Sequence, residues 1–255
     1  MNDFFIFPPF HSLIFTKLFI NLLNLPWFTM DTASFIIPVF NEESVIVKNT
    51  EKLLSFLKNN KITYEIIICN NGSTDKTLEF AKQLEKKYKN IKVISVPQKG
   101  VGTVFKKAVK LAKYNNIISQ DMDLSTDLNF ILKSMELLKD YDIVIGSKKM
   151  GFQERSVLRK IPSTIFIFLV KILLRMPYKD YSMAAKAYKK SAIIKHIDKV
   201  DYGTSYVIDL IYYVKKDQRK IIEIPVKCFD KRKSKFNILH ESLYRFKNLI
   251  KLRLR

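Results

Sequence analysis

The sequence predicts an α/β fold: a mostly parallel sheet with helices on both faces, followed by a basic, partly amphipathic C-terminal region. Three observations point there. Short apolar runs alternate with segments of helical period from Ser34 to Gly146, with brief turns between them. Polar residues gather directly after those runs, where open α/β sheets bind their ligands. The composition is globular, 47% hydrophobic and 27% charged over 255 residues, which suits one large domain and leaves no room for two ordinary ones.

Phe35-Ile-Ile-Pro-Val-Phe40 is apolar throughout, as a strand buried on both faces requires. Glu43 to Asn59 carries Val45, Leu53, Leu54 and Leu57 on a helical period. Tyr64–Cys69 is the second strand, Asp75–Tyr88 the second helix, Ile91–Ser95 the third strand and Gly102–Tyr114 the third helix. Asn116–Asp121 and Asp142–Gly146 are two more strands, with a helix over Leu128–Leu138 between them. Lys148–Arg159 is polar and basic, and Ile161–Met176 is an apolar stretch edged by Lys171 and Arg175. Helices near Lys190–His196 and Ser205–Lys216 and a strand over Lys220–Pro225 complete the pattern.

Residues 1–30 read differently, as a hydrophobic arm or a start assigned too early, with Met30 the true one. They lack the basic n-region of a secretory signal. The sixteen residues between Pro9 and Pro26 would span roughly 24 Å as a helix, short of the ~30 Å hydrocarbon core. The formal net charge of +21 demands an anionic counterpart: nucleic acid, a phospholipid surface or phosphorylated substrates. Two cysteines, Cys69 and Cys228, make neither a disulfide framework nor a zinc site by themselves, so a reducing compartment is expected. His11, His196 and His240 show no ligand spacing.

The residues that follow the strands are the candidates for chemistry: Asn41-Glu42-Glu43 after the first, Asn70 to Asp75 after the second, Asp121 to Asp127 after the fourth, and Gly146-Ser147-Lys148-Lys149 after the fifth. Asp121 and Asp123, one residue apart at a buried strand end, repel unless a cation lies between them and the ligand, which points to Mg²⁺ or Mn²⁺ completed by phosphate oxygens. The alternative is a capping cluster, with Ser125 or Asp127 starting the next helix.

Phe35-Ile-Ile-Pro-Val-Phe-Asn-Glu-Glu43, Asn71-Gly-Ser-Thr-Asp75, Lys99-Gly100 and Asp121-Met-Asp-Leu-Ser125 resemble the successive motifs of the family 2 inverting glycosyltransferases. Glu154-Arg-Ser-Val-Leu-Arg159, Lys179-Asp180, Ile222-Glu-Ile-Pro-Val226 and Ser234-Lys235 are similar to its polyprenyl-phosphate branch, which includes dolichyl-phosphate mannose and glucose synthases. The resemblance implies a GT-A fold with a Rossmann-like sheet, a catalytic domain over residues 31–235 and a basic C-terminal helix or tail over 236–255.

It also implies roles. Pro38, Asn41, Glu42, Asn70, Asn71, Lys99, Gly100 and Asp121 match the nucleotide-binding positions, and Asp121 with Asp123 the metal and diphosphate site. Asn70 and Asn71 stand where the family usually has aspartates, and Lys148 where it has an arginine after Gly-Ser. Lysine keeps the charge there but loses bidentate geometry. Arg155, Arg159, Ser163 and Lys235 match the acceptor-phosphate site, and Tyr181–Lys186 departs most from the family's run. The implied partners are a nucleotide-sugar donor, a polyprenyl or dolichyl phosphate and a membrane surface, with room for a membrane-anchoring partner subunit. The implied location is the cytoplasmic face of a membrane, peripheral or N-terminally anchored.

Three rival readings differ from this one. A transferase acting on a hydroxyl would need a carboxylate base, Asp180 or Asp209. An inactive relative would account for the departures at Asn70, Lys148 and Tyr181–Lys186. A nucleic-acid-binding protein would use the basic tail, but no recognisable module is present and the aromatics are not interleaved with the basic runs.

Overall fold

The structure, a computed structural model, describes residues 31–151, 157–229 and 238–254, with the side chains of 157–162 and 238–240 excluded. The N-terminal arm, Arg155, Lys235 and the side chain of Arg159 lie outside the described residues.

Among the described residues seven strands form one sheet: β1 (Thr32–Val39), β2 (Thr63–Asn71), β3 (Ile91–Val96), β4 (Asn116–Ser119), β5 (Ile143–Ser147), β6 (Lys186–Lys189) and β7 (Ile221–Pro225). Their order is β3-β2-β1-β4-β6-β5-β7. β2, β1 and β4 run parallel, with Ile36 beside Ile67 on one side and Ser119 on the other. β6 runs antiparallel to both β4 and β5. The mostly parallel α/β sheet expected from the alternating pattern is present.

The chain enters helices α1 (Ile46–Asn59), α2 (Thr77–Lys87), α3 (Val101–Leu111), α4 (Asn129–Leu137), α5 (Val157–Leu174), α6 (Lys190–Ile193), α7 (Tyr206–Lys216) and α8 (Ile238–Arg253). Alternate strand residues feed two cores, because successive side chains point to opposite faces. Phe35, Ile37, Ile66 and Ile68 pack under Leu53 and Leu57 of α1, Ala81 and Leu84 of α2, and Ile131 of α4. Ile36, Ile67 and Cys69 pack under Phe105 and Ala108 of α3, Leu210 and Val214 of α7, Val170 of α5, and Leu249 and Leu252 of α8. Both cysteines are free and buried.

The element boundaries shift where side chains capture backbone groups. α3 stops at Leu111, short of the expected Tyr114, because Glu65 accepts the backbone N–H of Lys113 and Ser34 Oγ accepts that of Tyr114 at 3.0 Å. α2 begins at Thr77 because the Asp75 carboxylate accepts the Thr77 N–H at 2.9 Å. The helix expected over Lys190–His196 is one turn, followed by a 3-10 segment over Ile194–Lys199. β6 was not anticipated: Lys-Ala-Tyr-Lys offers no apolar run, yet Lys186, Ala187 and Tyr188 are all fully buried. No helix among the described residues is long and apolar enough to cross a membrane.

Candidate active site

The carboxyl ends of β1 and β2 are joined by a network of short side chains. Asn41, with φ at 53°, turns the chain out of β1. Its carboxamide oxygen accepts the Thr74 N–H at 2.8 Å, and its own N–H donates to Ser73 Oγ at 3.1 Å. The Glu42 N–H donates to Thr77 Oγ1 at 2.7 Å, while Glu43 accepts the Lys76 N–H at 3.0 Å. Gly72 has φ at 71°, a conformation that favours glycine, and a Cβ there would stand 3.2 Å from the backbone of Pro97, Gln98 and Lys99.

Asn70 and Asn71, the two departures from aspartate, are both engaged. Asn70 is buried, donating to Ser95 Oγ at 2.9 Å and accepting the Ser73 N–H at 3.3 Å. Asn71 accepts the Gly100 N–H at 2.6 Å, which ties the end of β2 to the start of α3. Lys99 holds its ammonium 3.8 Å from the centre of the Phe40 ring, a cation–π contact that sets it against the end of β1. Pro38 lies within β1, beside Cys69 of β2. The residues expected to bind nucleotide therefore share one sheet edge.

Asp121 and Asp123 occupy the turn beyond β4. The backbone continues the ladder through the Gln120 N–H, bonded to the Ile36 carbonyl at 3.2 Å, then turns at Leu124 with φ at 50°. Asp123 accepts the Ser125 N–H at 2.9 Å. Asn49 fixes the turn from the side by donating to the Met122 carbonyl at 2.9 Å. The chain beyond β7 lies against the turn, with the Asp127 N–H on the Lys227 carbonyl at 3.1 Å and the Phe229 N–H on the Ser125 carbonyl at 2.9 Å. Of the capping candidates, Asp127 accepts the Asn129 N–H at 3.0 Å from one residue before the cap position, which Leu128 occupies.

Burial and the neighbouring Asp123 charge push the Asp121 carboxyl up to about 6, against the opposing pull of Lys148, the Ala184 N–H and Lys186. A buried carboxylate beside a second one fits a hard divalent cation, which would offset the negative charge gathered there. Among the described residues no group of three or more His, Cys, Asp or Glu side chains gathers to hold a metal, so phosphate oxygens and water would complete its shell.

A second cluster faces this pair. Lys148, nearly inaccessible at the end of β5, donates from Nζ to Ser182 Oγ at 3.2 Å and from its backbone N–H to Asp180 at 3.4 Å. The Asp180 carboxylate also accepts the N–H groups of Ser182 at 2.9 Å and Met183 at 3.3 Å. Burial alone would raise Asp180, but Lys186, Lys148 and those two N–H groups hold it below the ordinary carboxylate range. Lys186 has no accessible surface; its ammonium donates to the Met183 carbonyl at 3.0 Å. Burial lowers its pKa while Asp180 pulls it back up.

Lys186 is a charged neighbour of the candidate site that the sequence reading did not single out. A lysine after Ala-Ala in an irregular stretch looks like a solvated side chain, and only the pairing of β6 between β4 and β5 reveals it as buried beside Asp180, Lys148 and Asp121. Asp180 and Asp209, the candidate bases, both serve the backbone: Asp209 accepts the Asp201 N–H at 2.7 Å. Ser163 is partly buried on α5, and Lys149 reaches the same helix through Thr164 Oγ1 at 3.1 Å.

A mostly parallel α/β sheet with paired carboxylates after its fourth strand and buried lysines opposite is the arrangement of a GT-A type domain. The profile of Glycosyl transferase family 2 matches residues 34–197, and the chain belongs to that family. The chain is 26% identical over 221 residues to the glycosyltransferase AglD of Haloferax volcanii, covering 83% of this chain and 35% of that protein. It is 26% identical over 228 residues to the dolichyl-phosphate beta-glucosyltransferase ALG5D of Trichomonas vaginalis, covering 81% and 68%. The chain thus spans about a third of the first relative and about two-thirds of the second. Among solved structures, glucosyl-3-phosphoglycerate synthase from Mycobacterium tuberculosis, in complex with Mn²⁺, UDP-glucose and phosphoglyceric acid, superposes with a TM-score of 0.61 at 16% identity over 87% of this chain and 79% of that one. Mannosyl-3-phosphoglycerate synthase from Rubrobacter xylanophilus gives 0.66 at 14% identity over 98% and 79%. These structural likenesses establish the shared fold.

Proposed function

We propose that this chain transfers a sugar, with inversion, from a nucleotide-sugar of the GDP-mannose or UDP-glucose class to a polyprenyl or dolichyl phosphate at the cytoplasmic face of a membrane. The observation that carries the reading is the convergence of Asp121 and Asp123 with Lys148 at the carboxyl edge of the sheet. The relative named as a dolichyl-phosphate beta-glucosyltransferase supports the acceptor class.

Asp121 and Asp123 would hold Mg²⁺ or Mn²⁺, which supplies charge neutralisation to a departing diphosphate. Asn41, Glu42, Asn70, Asn71, Lys99 and Gly100 line the nucleotide side, and Lys148 adds a fixed positive charge beside it. Arg155, Arg159, Ser163 and Lys235 are the residues proposed for the acceptor phosphate. A phosphate monoester is already ionised at neutral pH, so its attack needs positioning more than a base. Attack opposite the leaving diphosphate inverts the anomeric centre.

Transfer to a hydroxyl would use a carboxylate base, and the backbone N–H groups held by Asp180 and Asp209 give both a structural role instead, which favours the phosphate acceptor. The test is incubation of the purified chain with labelled UDP-glucose or GDP-mannose, dolichyl phosphate and Mn²⁺ or Mg²⁺. A metal-dependent, chloroform-soluble labelled product is expected; label released only onto glycan hydroxyls would overturn the reading.

A further inference from the structure

Helices α5 and α8 pack against each other through Val170 and Leu174 on one and Leu249 and Leu252 on the other, all buried. Their outward faces carry large apolar side chains. On α5 Ile165, Phe168 and Ile172 are 56%, 60% and 57% exposed, and on α8 Leu243 and Phe246 are 62% and 44% exposed. The spacing of three and four residues puts each set on a single stripe of its helix. Exposed basic residues edge both stripes: Lys171 and Arg175 beside α5, Lys247, Lys251 and Arg253 on α8. Among the described residues of the two helices the one acidic group is Glu241, and it turns inward to accept from Arg245 Nε at 2.7 Å.

The inner face of α8 is fully committed, which fixes the direction of the outer one. Tyr244 donates its hydroxyl to Asp201 at 2.6 Å, and Asn248 donates to the same carboxylate and to Ser205 Oγ, each at 3.3 Å. A Cβ on Gly203 would stand 2.4 Å from the Tyr244 hydroxyl, so the helix sits hard against this loop. Leu243 and Phe246 therefore cannot roll inward without breaking those bonds.

We propose that the outer faces of α5 and α8 together form a docking surface for an anionic phospholipid bilayer. Apolar side chains enter the acyl boundary while the flanking lysines and arginines meet phosphate headgroups. Charge selects this occupant: a second copy would bring another +21 against the same basic rim. The proposal rests on the reading that the acceptor is a membrane lipid phosphate, but its vesicle-binding test needs neither donor nor acceptor.

The full chain is floated with vesicles of phosphatidylcholine alone or with about a third phosphatidylserine. Binding to the anionic vesicles is expected, weaker on neutral ones and reduced by salt. The pair Phe168→Ser and Phe246→Ser should lower binding about tenfold or more at unchanged melting temperature, since both rings lie at the surface. Lys247→Glu with Lys251→Glu should remove the preference for anionic vesicles. In detergent, turnover of a short polyprenyl phosphate by the phenylalanine variant should equal that of the parent, separating a lost surface from a lost site. A parent chain that stays in the aqueous fraction, a phenylalanine variant that binds undiminished, or a dimer abolished by those same substitutions would each overturn the proposal. Absence of turnover in a parent that floats with vesicles would instead count against the proposed reaction.

Discussion

The carboxylate of Asp180 accepts the backbone N–H of Ser182 at 2.9 Å, and through that bond it shapes the turn whose Ala184 N–H reaches Asp121. Lys186 lies beneath the same turn, holding the Met183 carbonyl. Replacing Asp180 by alanine leaves the buried Lys186 without its largest counter-charge and should cost about 3–5 kcal/mol. Urea denaturation measures this; a loss below about 1 kcal/mol would argue that Asp180 is not the partner that matters.

Asp123→Asn keeps an oxygen for the Ser125 N–H and removes a charge from the proposed cation site. Transfer should fall by about 10²-fold or more while the unfolding midpoint stays near that of the parent. Nucleotide-sugar turnover over a Mn²⁺ titration is the measurement. Normal activity would refute the metal assignment.

Arg155→Ala tests the acceptor side by kinetics. The KM for the lipid phosphate should rise about tenfold or more, with binding of the nucleotide-sugar little changed. Equal losses for both substrates would count against an acceptor role.

Glu65 gives a prediction about acid stability. It is buried on β2, accepting Ser34 Oγ at 2.7 Å, Lys92 Nζ at 3.1 Å and the Lys113 N–H. Burial raises its pKa, but the Lys113 N–H, Ser34 and Lys92 outweigh that and leave it lowered. A carboxylate lowered on folding stabilises the native state above its unfolded pKa, and that contribution is lost as pH falls through the folded value. Glu65→Gln should therefore cost about 1–3 kcal/mol at pH 7 and show a shallower loss of stability between about pH 5 and pH 3. Urea midpoints across that range decide it; parallel curves for parent and variant would remove Glu65 from the acid transition.

The parallel half of the fold was legible because β1, β2 and β4 carry apolar runs rich in isoleucine, with Asn41, Asn70 and Asp121 marking where each buried run ends. The paired carboxylates stood out for the same reason. β6 was hidden because its burial comes from neighbours far away in sequence: Ile118 and Val144 flank Ala187, and nothing local in Lys-Ala-Tyr-Lys reports them. Lys186 escaped with it. The engagement of Asn70 by Ser95 was equally illegible, since it depends on the register of β2 against β3.

The reversed direction of β6 has a consequence for how this enzyme class can diversify. Because the strand runs against β4 and β5, the chain that precedes it, and not the chain that follows, comes to the carboxyl edge, where the Ala184 N–H meets Asp121. Changes at residues 175–185 therefore act on the Asp121 side of the sheet, while the register of β1, β2 and β3 is set without them.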